Sequence, residues 1–343
     1  MRSELLKNQI QNFRLVSDSI VYSTIYHDIF LNNDLIYNST KSIQEIYFNG
    51  NSIYTNTIHG DGLEINPNDK SVILYEGEFI KYLDSELSIK SKKRETTIYN
   101  INKNTTTIKP YRIFIFSLQK EYKKLVYYAG NNLTNVNLNI NVTSLDSNVD
   151  YFSFPLSTLG TWLDGAIEKT YQVAEFCGIY ENTLVCIMTN GAVLLLDIEK
   201  GEVKAFFKDA KVKGGIFQKE ENSPLFLGLK HYTFIEINAE SGELLKQVDI
   251  QSELKRVANI PKESPCWLSV GTSIYQDGLF YFYGDPNLIG VFDPISEKII
   301  DYHVFDFDKK QHQQLKGGVE NLQVKDGEIY CLDSLGNLYV LER

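Results

Sequence analysis

The sequence predicts an all-β protein, a single β-propeller of about seven four-stranded blades, and two observations carry this prediction. A motif made of a strand, a polar turn and a second strand occurs twice: Asp197 and Gly201 in the first copy match Asn238 and Gly242 in the second, 41 residues later. The chain also contains 22 Tyr and 19 Phe but only 2 Met, a composition that favours strands over helices. A strand-built repeat of this length is typical of propeller blades.

Two landmarks extend the repeat along the chain. Turn signals lie at Asn49-Gly50, Glu181-Asn182, Asn222-Ser223, Gln276-Asp277-Gly278 and Lys325-Asp326-Gly327. A strand runs into a second polar turn near Asn66, Asn100, Asn141, Asp197, Asn238, Asp293 and Glu342. From 66 to 342, six intervals average 46 residues, the length of a four-stranded blade. Seven blades follow, and six or eight stay open because the copies near 100 and 141 are poor.

The two ends of the chain are predicted to meet in one blade. Residues 319–343 supply three strands, 319–324, 328–333 and 337–341, whereas a blade without an exposed edge needs a fourth. We expect a strand within 13–25 to close this blade, the rest of 13–42 forming an irregular part of the first blade. Leu5, Leu6 and Ile10 have near-helical spacing, which suggests a short helix in 1–12. The whole of 1–343 is expected to be one propeller domain.

The repeat resembles those of quinoprotein-like (PQQ-repeat-like) propellers. The resemblance is carried by LLLDIEKGEVKAFF, IEINAESGELLKQVDI and GVFDPISEKIIDYHVF, and it is clear over 171–343. The Trp that commonly follows the turn glycine in that family is absent, with Ala205-Phe206 and Lys246-Gln247 in its place. The resemblance implies the fold. The quinone enzymes of the family would also require adjacent cysteines, and no two cysteines here are adjacent, so no quinone cofactor is expected.

Charge and hydropathy narrow the classes of partner. The formal net charge of −10 disfavours binding to nucleic acid or to an anionic membrane, because both rely on an excess of Lys and Arg. No apolar run reaches the length of a membrane span. We therefore expect a cytoplasmic protein whose partner is another protein, and the charge is more compatible with a basic partner.

The sequence offers no catalytic or metal-binding motif. The five histidines are not paired at metal-ligand spacing, and no GxSxG elbow, P-loop, HExxH or EF-hand loop occurs. We therefore favour a non-catalytic protein without cofactor or metal. The alternative is a calcium-dependent propeller hydrolase or lyase with an axial site, whose ligands would come from different blades and leave no local motif. A carbohydrate-binding propeller would need aromatic platforms repeated from blade to blade, and the two tryptophans are placed irregularly.

A loop-bearing face is the candidate binding site. The loops that enter each blade's first strand, and those that join its second and third strands, should share one face of a propeller. Segments 156–170, 208–215, 250–266 and 307–318 are long or carry unusual residues. The candidate binding residues are Trp162, Asp164, His231, Arg256, Trp267, Asp285 and His312. Trp is a frequent interface anchor, although both tryptophans could instead pack at blade edges. The predicted function is a protein-binding scaffold, in one version an immunity or antitoxin-type protein.

Overall fold

Short antiparallel strands make up most of the described part of the chain. The computed structural model describes residues 2–343 except 17–18, 50–51, 58–59, 84–86, 93–94, 101–104, 110–113, 122–123, 131–138, 145–149, 213, 286 and 306–318.

The first thirteen strands comprise an N-terminal strand and three four-stranded sheets. The N-terminal strand is β1 (Arg2–Lys7). Sheet 1 contains β2 (Ile10–Val16), β3 (Ser19–Thr24), β4 (Asp28–Leu31) and β5 (Asp34–Asn38). Sheet 2 contains β6 (Ile43–Asn49), β7 (Ser52–Thr57), β8 (Gly62–Ile65) and β9 (Val72–Tyr75). Sheet 3 contains β10 (Glu78–Leu83), β11 (Leu87–Lys92), β12 (Glu95–Asn100) and β13 (Thr105–Lys109).

Three further sheets and a separate hairpin follow. Sheet 4 contains β14 (Phe114–Glu121), β15 (Lys124–Gly130), β16 (Asn139–Ser144) and β17 (Asp150–Pro155). A short 3-10 helix (Leu156–Leu159) leads into the hairpin of β18 (Thr161–Asp164) and β19 (Ile167–Thr170). Sheet 5 contains β20 (Val173–Tyr180), β21 (Thr183–Met188), β22 (Val193–Asp197) and β23 (Glu202–Phe207). Sheet 6 contains β24 (Ile216–Gln218), β25 (Leu225–Lys230), β26 (Thr233–Asn238) and β27 (Glu243–Asp249).

The last part of the chain adds the helix and two more sheets. Helix α1 (Gln251–Val257) precedes sheet 7, which contains β28 (Val270–Gln276), β29 (Leu279–Gly284), β30 (Leu288–Asp293) and β31 (Lys298–Val304). Sheet 8 contains β32 (Val319–Lys325), β33 (Glu328–Asp333) and β34 (Leu338–Glu342) together with β1. In sheets 1 to 7 the strands are hydrogen-bonded in chain order, the meander from which propeller blades are built.

Asx turns explain the 41-residue repeat. The Asp197 carboxylate accepts hydrogen bonds from the backbone N–H groups of Glu199 and Lys200, at 2.9 and 3.0 Å. The Asn238 side chain accepts the equivalent bonds in sheet 6, at 2.8 and 3.1 Å. Gly201 closes the first turn with a φ of 72°, where a side chain would be strained. Each turn therefore needs a short oxygen acceptor at the end of the third strand and a glycine before the fourth.

The N-terminal strand completes sheet 8, as predicted, but it is not the predicted segment. Strand β1 pairs antiparallel with β34, from Arg2 opposite Glu342 to Lys7 opposite Leu338. The expected strands at 319–324, 328–333 and 337–341 are present as β32, β33 and β34. The prediction of a short helix in 1–12 is wrong. The helical spacing of the apolar residues there is weak, and pairing with β34 satisfies the backbone N–H and C=O groups of this segment as a strand. Residues 13–25 belong to sheet 1 instead of closing the last blade.

The described residues form eight four-stranded sheets, one more than the seven preferred from the spacing and within the open range. The additional one is sheet 1, whose third and fourth strands contain only four and five residues. Strands this short leave little periodicity to detect. The poor copy of the repeat at Asn141 lies inside β16 and not at a turn.

The chain divides into two compact units. Unit 1 comprises residues 1–113 and 307–343, and unit 2 comprises residues 114–306. Each unit has its own buried apolar clusters: Val21, Ile29, Ile53 and Ile65 belong to one in unit 1. In unit 2, a cluster rich in phenylalanine joins sheets 6 and 7 to α1. The expectation of a single domain over 1–343 stays a prediction.

Candidate functional site

The segment between sheets 6 and 7 carries α1 and a long irregular loop. Helix α1 begins where the Asp249 carboxylate accepts a hydrogen bond from the Gln251 N–H, at 2.7 Å. Gln251, Leu254 and Val257 are buried at three-residue spacing, so one face of the helix packs on the core of unit 2. The segment 250–266, which the sequence predicts as a loop, therefore begins with a helix that anchors it.

A buried glutamine fixes the end of this loop to its beginning. The Gln251 side-chain N–H donates to the Leu268 carbonyl, and the Gln251 side-chain oxygen accepts from the Leu268 N–H at 3.2 Å. The Gln251 side-chain amide thus both donates to and accepts from the Leu268 backbone, as the backbone of a neighbouring strand would. The Lys255 ammonium adds hydrogen bonds to the carbonyls of Lys262 and Ser264, at 3.1 and 2.7 Å. These bonds tie the later part of the loop to α1.

Trp267 lies on the surface that this loop presents. Its side chain is 69% exposed, an unusual state for the largest apolar side chain. The indole contacts the Tyr232 ring, with centroids 5.4 Å apart and planes tilted by 53°. Tyr232 in turn packs against the buried cluster of sheets 6 and 7. The Trp267 side chain is therefore exposed to solvent, yet its contact with Tyr232 connects it to the buried cluster.

Two other candidate residues lie beside Trp267. The His231 N–H donates to the Val270 carbonyl at 2.9 Å, and the Val270 N–H returns a bond to His231. The Asp285 N–H donates to the Ser269 carbonyl at 2.9 Å, and the Ser269 hydroxyl donates to the Asp285 carboxylate at 3.0 Å. Tyr232, His231, Trp267 and Asp285 form what we call the Trp267 surface. Here, loops joining second and third strands do meet a segment that enters a first strand.

Arg256 is placed close by but performs a structural task. Its guanidinium forms an ion pair with Glu253, with Nη2 and Oε2 2.8 Å apart, and Nη2 donates to the Ile299 carbonyl at 2.7 Å. The Glu253 carboxylate accepts from the Ile299 N–H at 3.1 Å. These bonds hold the pKa of the Glu253 carboxyl below its usual value, with the Arg256 hydrogen bond as the largest cause. The pair thus satisfies both backbone groups of a residue on the outer strand β31.

The remaining candidates lie elsewhere. Trp162 and Asp164 belong to the β18–β19 hairpin, where Trp162 is partly buried against the core of sheets 4 and 5. The Asp164 carboxylate pairs with the Lys169 ammonium at 2.5 Å. His312 lies outside the described residues, as does the whole loop 307–318.

Sequence reasoning missed two parts of this region. Tyr232 was unremarked because its role depends on Trp267, 35 positions away, and only the aromatic pair HYTF signalled it. Glu175 and Lys230 form the second part, since the charge of each favours the charged form of the other. Burial raises the pKa of Glu175, with a hydrogen bond from Gly215 opposing it, and burial lowers the pKa of Lys230. The Lys230 ammonium donates to the Gly271 carbonyl, which links sheets 6 and 7.

The described residues contain neither a cluster of metal-binding side chains nor a helix that could span a membrane. Across the part of the chain that the structure describes, no three His, Cys, Asp or Glu side chains are grouped closely enough to hold a metal ion. Among the same residues, no helix is both long and apolar enough to cross a bilayer.

Comparisons with known proteins define the fold class. No family model matches the chain, and no curated protein matches its sequence. The computationally designed Ika8 protein is 12% identical, with a TM-score of 0.64 over 99% of this chain and 98% of that one. BamB from Moraxella catarrhalis, a PQQ-like β-propeller, is 10% identical, with a TM-score of 0.60 over 100% of this chain and 99% of that one. The fold is thus a β-propeller, and identities this low show the fold alone.

Proposed function

We propose that this protein is a non-catalytic protein-binding module and that its partner docks on the Trp267 surface. The observation that carries the proposal is a tryptophan 69% exposed on a braced loop. Leaving an indole in water forgoes its hydrophobic burial, a loss that binding would recover. Because Gln251 and Lys255 already fix the loop, docking would cost little conformational entropy.

The charge of the protein defines the partner further. The net charge of −10 favours a basic partner through electrostatic steering. A compact acidic protein that covers a basic toxin would fit this description, so the finer proposal is an immunity or antitoxin-type protein acting in the cytoplasm. The propeller fold supports the coarser part of the proposal, since it presents many loops on a rigid scaffold.

Replacing Trp267 with alanine is expected to weaken partner binding about 30-fold, or about 2 kcal/mol, the usual loss for an interface anchor. The partner would be captured from native cell lysate with the tagged protein, then purified, and its affinity measured by calorimetry for both forms. The thermal midpoint should stay unchanged, because Trp267 is largely exposed.

Tyr151→Ala is the matched control. Tyr151 is also an exposed aromatic residue, 52% exposed, but it lies on β17, away from the 250–269 segment. Its replacement should leave the affinity within about twofold. Equal losses for the two variants, or no loss for Trp267→Ala, would contradict docking on the Trp267 surface. If cells that express the identified partner without this protein grow normally, the immunity role is wrong while the binding role stands.

A further inference from the structure

The outer strand of sheet 2 is an open edge. Strand β9 pairs with β8 on one side, from Ile65 opposite Val72 to Gly62 opposite Tyr75. Sheet 2 ends there, and β9 has no strand on its other side within the described residues. Since alternate residues of a strand direct their N–H and C=O groups to opposite sides, part of the β9 backbone faces outward. No side chain of the described residues is hydrogen-bonded to those outward groups.

The side chains of β9 are apolar and exposed on both faces of the sheet. Val72, Ile73 and Leu74 are 38, 54 and 57% exposed. Consecutive residues of a strand point to opposite faces, so Ile73 lies on one face and its two neighbours on the other. An edge that is unpaired and apolar on both faces is a template for another strand.

Two other outer strands of this protein, β31 and β5, are protected at their edges. On β31, Glu253 and Arg256 occupy the N–H and C=O of Ile299, and the Tyr302 N–H donates to the Asp301 carboxylate at 2.8 Å. On β5, the Lys70 ammonium donates to the Leu35 carbonyl at 2.8 Å. Proteins commonly block edges with charged side chains in this way. Compared with β31 and β5, β9 is an accessible edge.

The charges around β9 indicate what the edge would accept. Asp69 precedes the strand, Glu76 and Glu78 follow it, and Glu64 lies on the adjacent strand. Of the nearby cations, Lys70 is bonded to the Leu35 carbonyl, and the Lys90 ammonium lies 3.4 Å from the centroid of the Tyr75 ring. A second copy of this chain would bring these carboxylates against their equivalents, and like charges repel. A basic segment complements them.

We propose that β9 is a strand-addition site, which takes an extended segment of another protein, alternating apolar and basic residues, as the fifth strand of sheet 2. Backbone hydrogen bonds to β9 supply affinity. The apolar side chains of the segment cover Val72 and Leu74 on one face, and its basic side chains lie on the opposite face, where Glu64 is paired with Ile73. This surface and mode of binding are additional to the Trp267 surface and do not depend on it.

The test uses the full chain and a fluorescein-labelled peptide of alternating lysine and valine, with binding followed by fluorescence anisotropy. Saturable binding is expected. An analogue with the same side chains but N-methylated central amides should bind at least about tenfold more weakly, because it cannot donate backbone hydrogen bonds. Ile73→Lys should also weaken the unmodified peptide about tenfold, since it places a charge on the edge.

Ile300→Lys on β31 is the matched control. Ile300 is 49% exposed and the substitution adds the same charge, but the adjacent edge is blocked by Glu253 and Arg256, so peptide affinity should not change. The proposal is overturned by an absence of saturable binding, by equal binding of the N-methylated peptide, or by equal effects of the two variants. A dimer seen by sedimentation and lost in Ile73→Lys would also overturn it, because a second copy would then occupy β9.

Discussion

Phe280→Ala is expected to lower the free energy of unfolding by about 3–5 kcal/mol, the usual cost of truncating a fully buried phenylalanine. Phe280 is 0% exposed and lies at the centre of an aromatic group. Its ring centroid is 4.9 Å from that of Tyr275 and 6.1, 6.2 and 6.4 Å from those of Phe217, Phe234 and Phe292. The cavity left by the ring would remove contacts to four neighbours that rigid strands hold in place.

Urea unfolding followed by circular dichroism measures this loss as a shift of the midpoint. Phe280→Leu keeps most of the volume and should cost clearly less. Ile295→Ala serves as the control, because Ile295 is 85% exposed and its truncation should change stability by no more than about 0.5 kcal/mol. A loss below about 1 kcal/mol for Phe280→Ala would mean that the strands around Phe280 collapse to fill the space, against the rigid packing inferred here.

Gln251→Met is expected to lower stability by about 2–4 kcal/mol. Methionine keeps the length of the side chain but leaves the Leu268 N–H and C=O without partners, and each buried unpaired group costs about 1–3 kcal/mol. Both hydrogen bonds to Leu268 are inside the protein. The loop end that carries Trp267 should therefore detach before the rest of unit 2 unfolds.

Hydrogen exchange at the Leu268 amide gives the local readout, and thermal unfolding gives the global one. Gln247→Met is the matched control, since the Gln247 amide also donates to two backbone carbonyls, of Asp209 and Ala210, but from an exposed position. That variant should lose less than about 1 kcal/mol, because water can replace the missing donor. Unchanged protection of the Leu268 amide from hydrogen exchange in Gln251→Met would show that the Gln251 side chain does not hold the end of the loop.

The sequence was most informative where a local interaction repeats. Asp197, Asn238 and Asp293 each accept hydrogen bonds from their own turn, so the same residue types recur at the same place in sheets 5, 6 and 7. Sheet 1 lacks such a marker in recognisable form, and its short strands were read as an irregular segment. The identity of the closing strand was also beyond reach, because the pairing of β1 with β34 joins residues from opposite ends of the chain.

The candidate site was only partly predictable, for the same physical reason. Trp267 was identified by residue type alone, but the support from Tyr232 and Gln251 depends on contacts between separate elements. Arg256 was expected to bind a partner. The fold brings α1 against β31, where Arg256 and Glu253 both bond to the backbone of Ile299, and the binding of a partner by Arg256 stays a prediction. Side chains that bond locally could be predicted from sequence, whereas those that bond across elements could not.

The pairing of β1 with β34 also sets a schedule for biosynthesis. Strand β1 is translated before the other described strands, and its partner β34 follows about 330 residues later, roughly 17 to 66 s at the usual elongation rate of about 5–20 residues per second. Throughout that interval the nascent chain carries a strand whose partner among the described strands does not yet exist. Because β1 is made long before β34 can pair with it, chaperone occupancy of β1 should decide how much of the newly made chain reaches the native state.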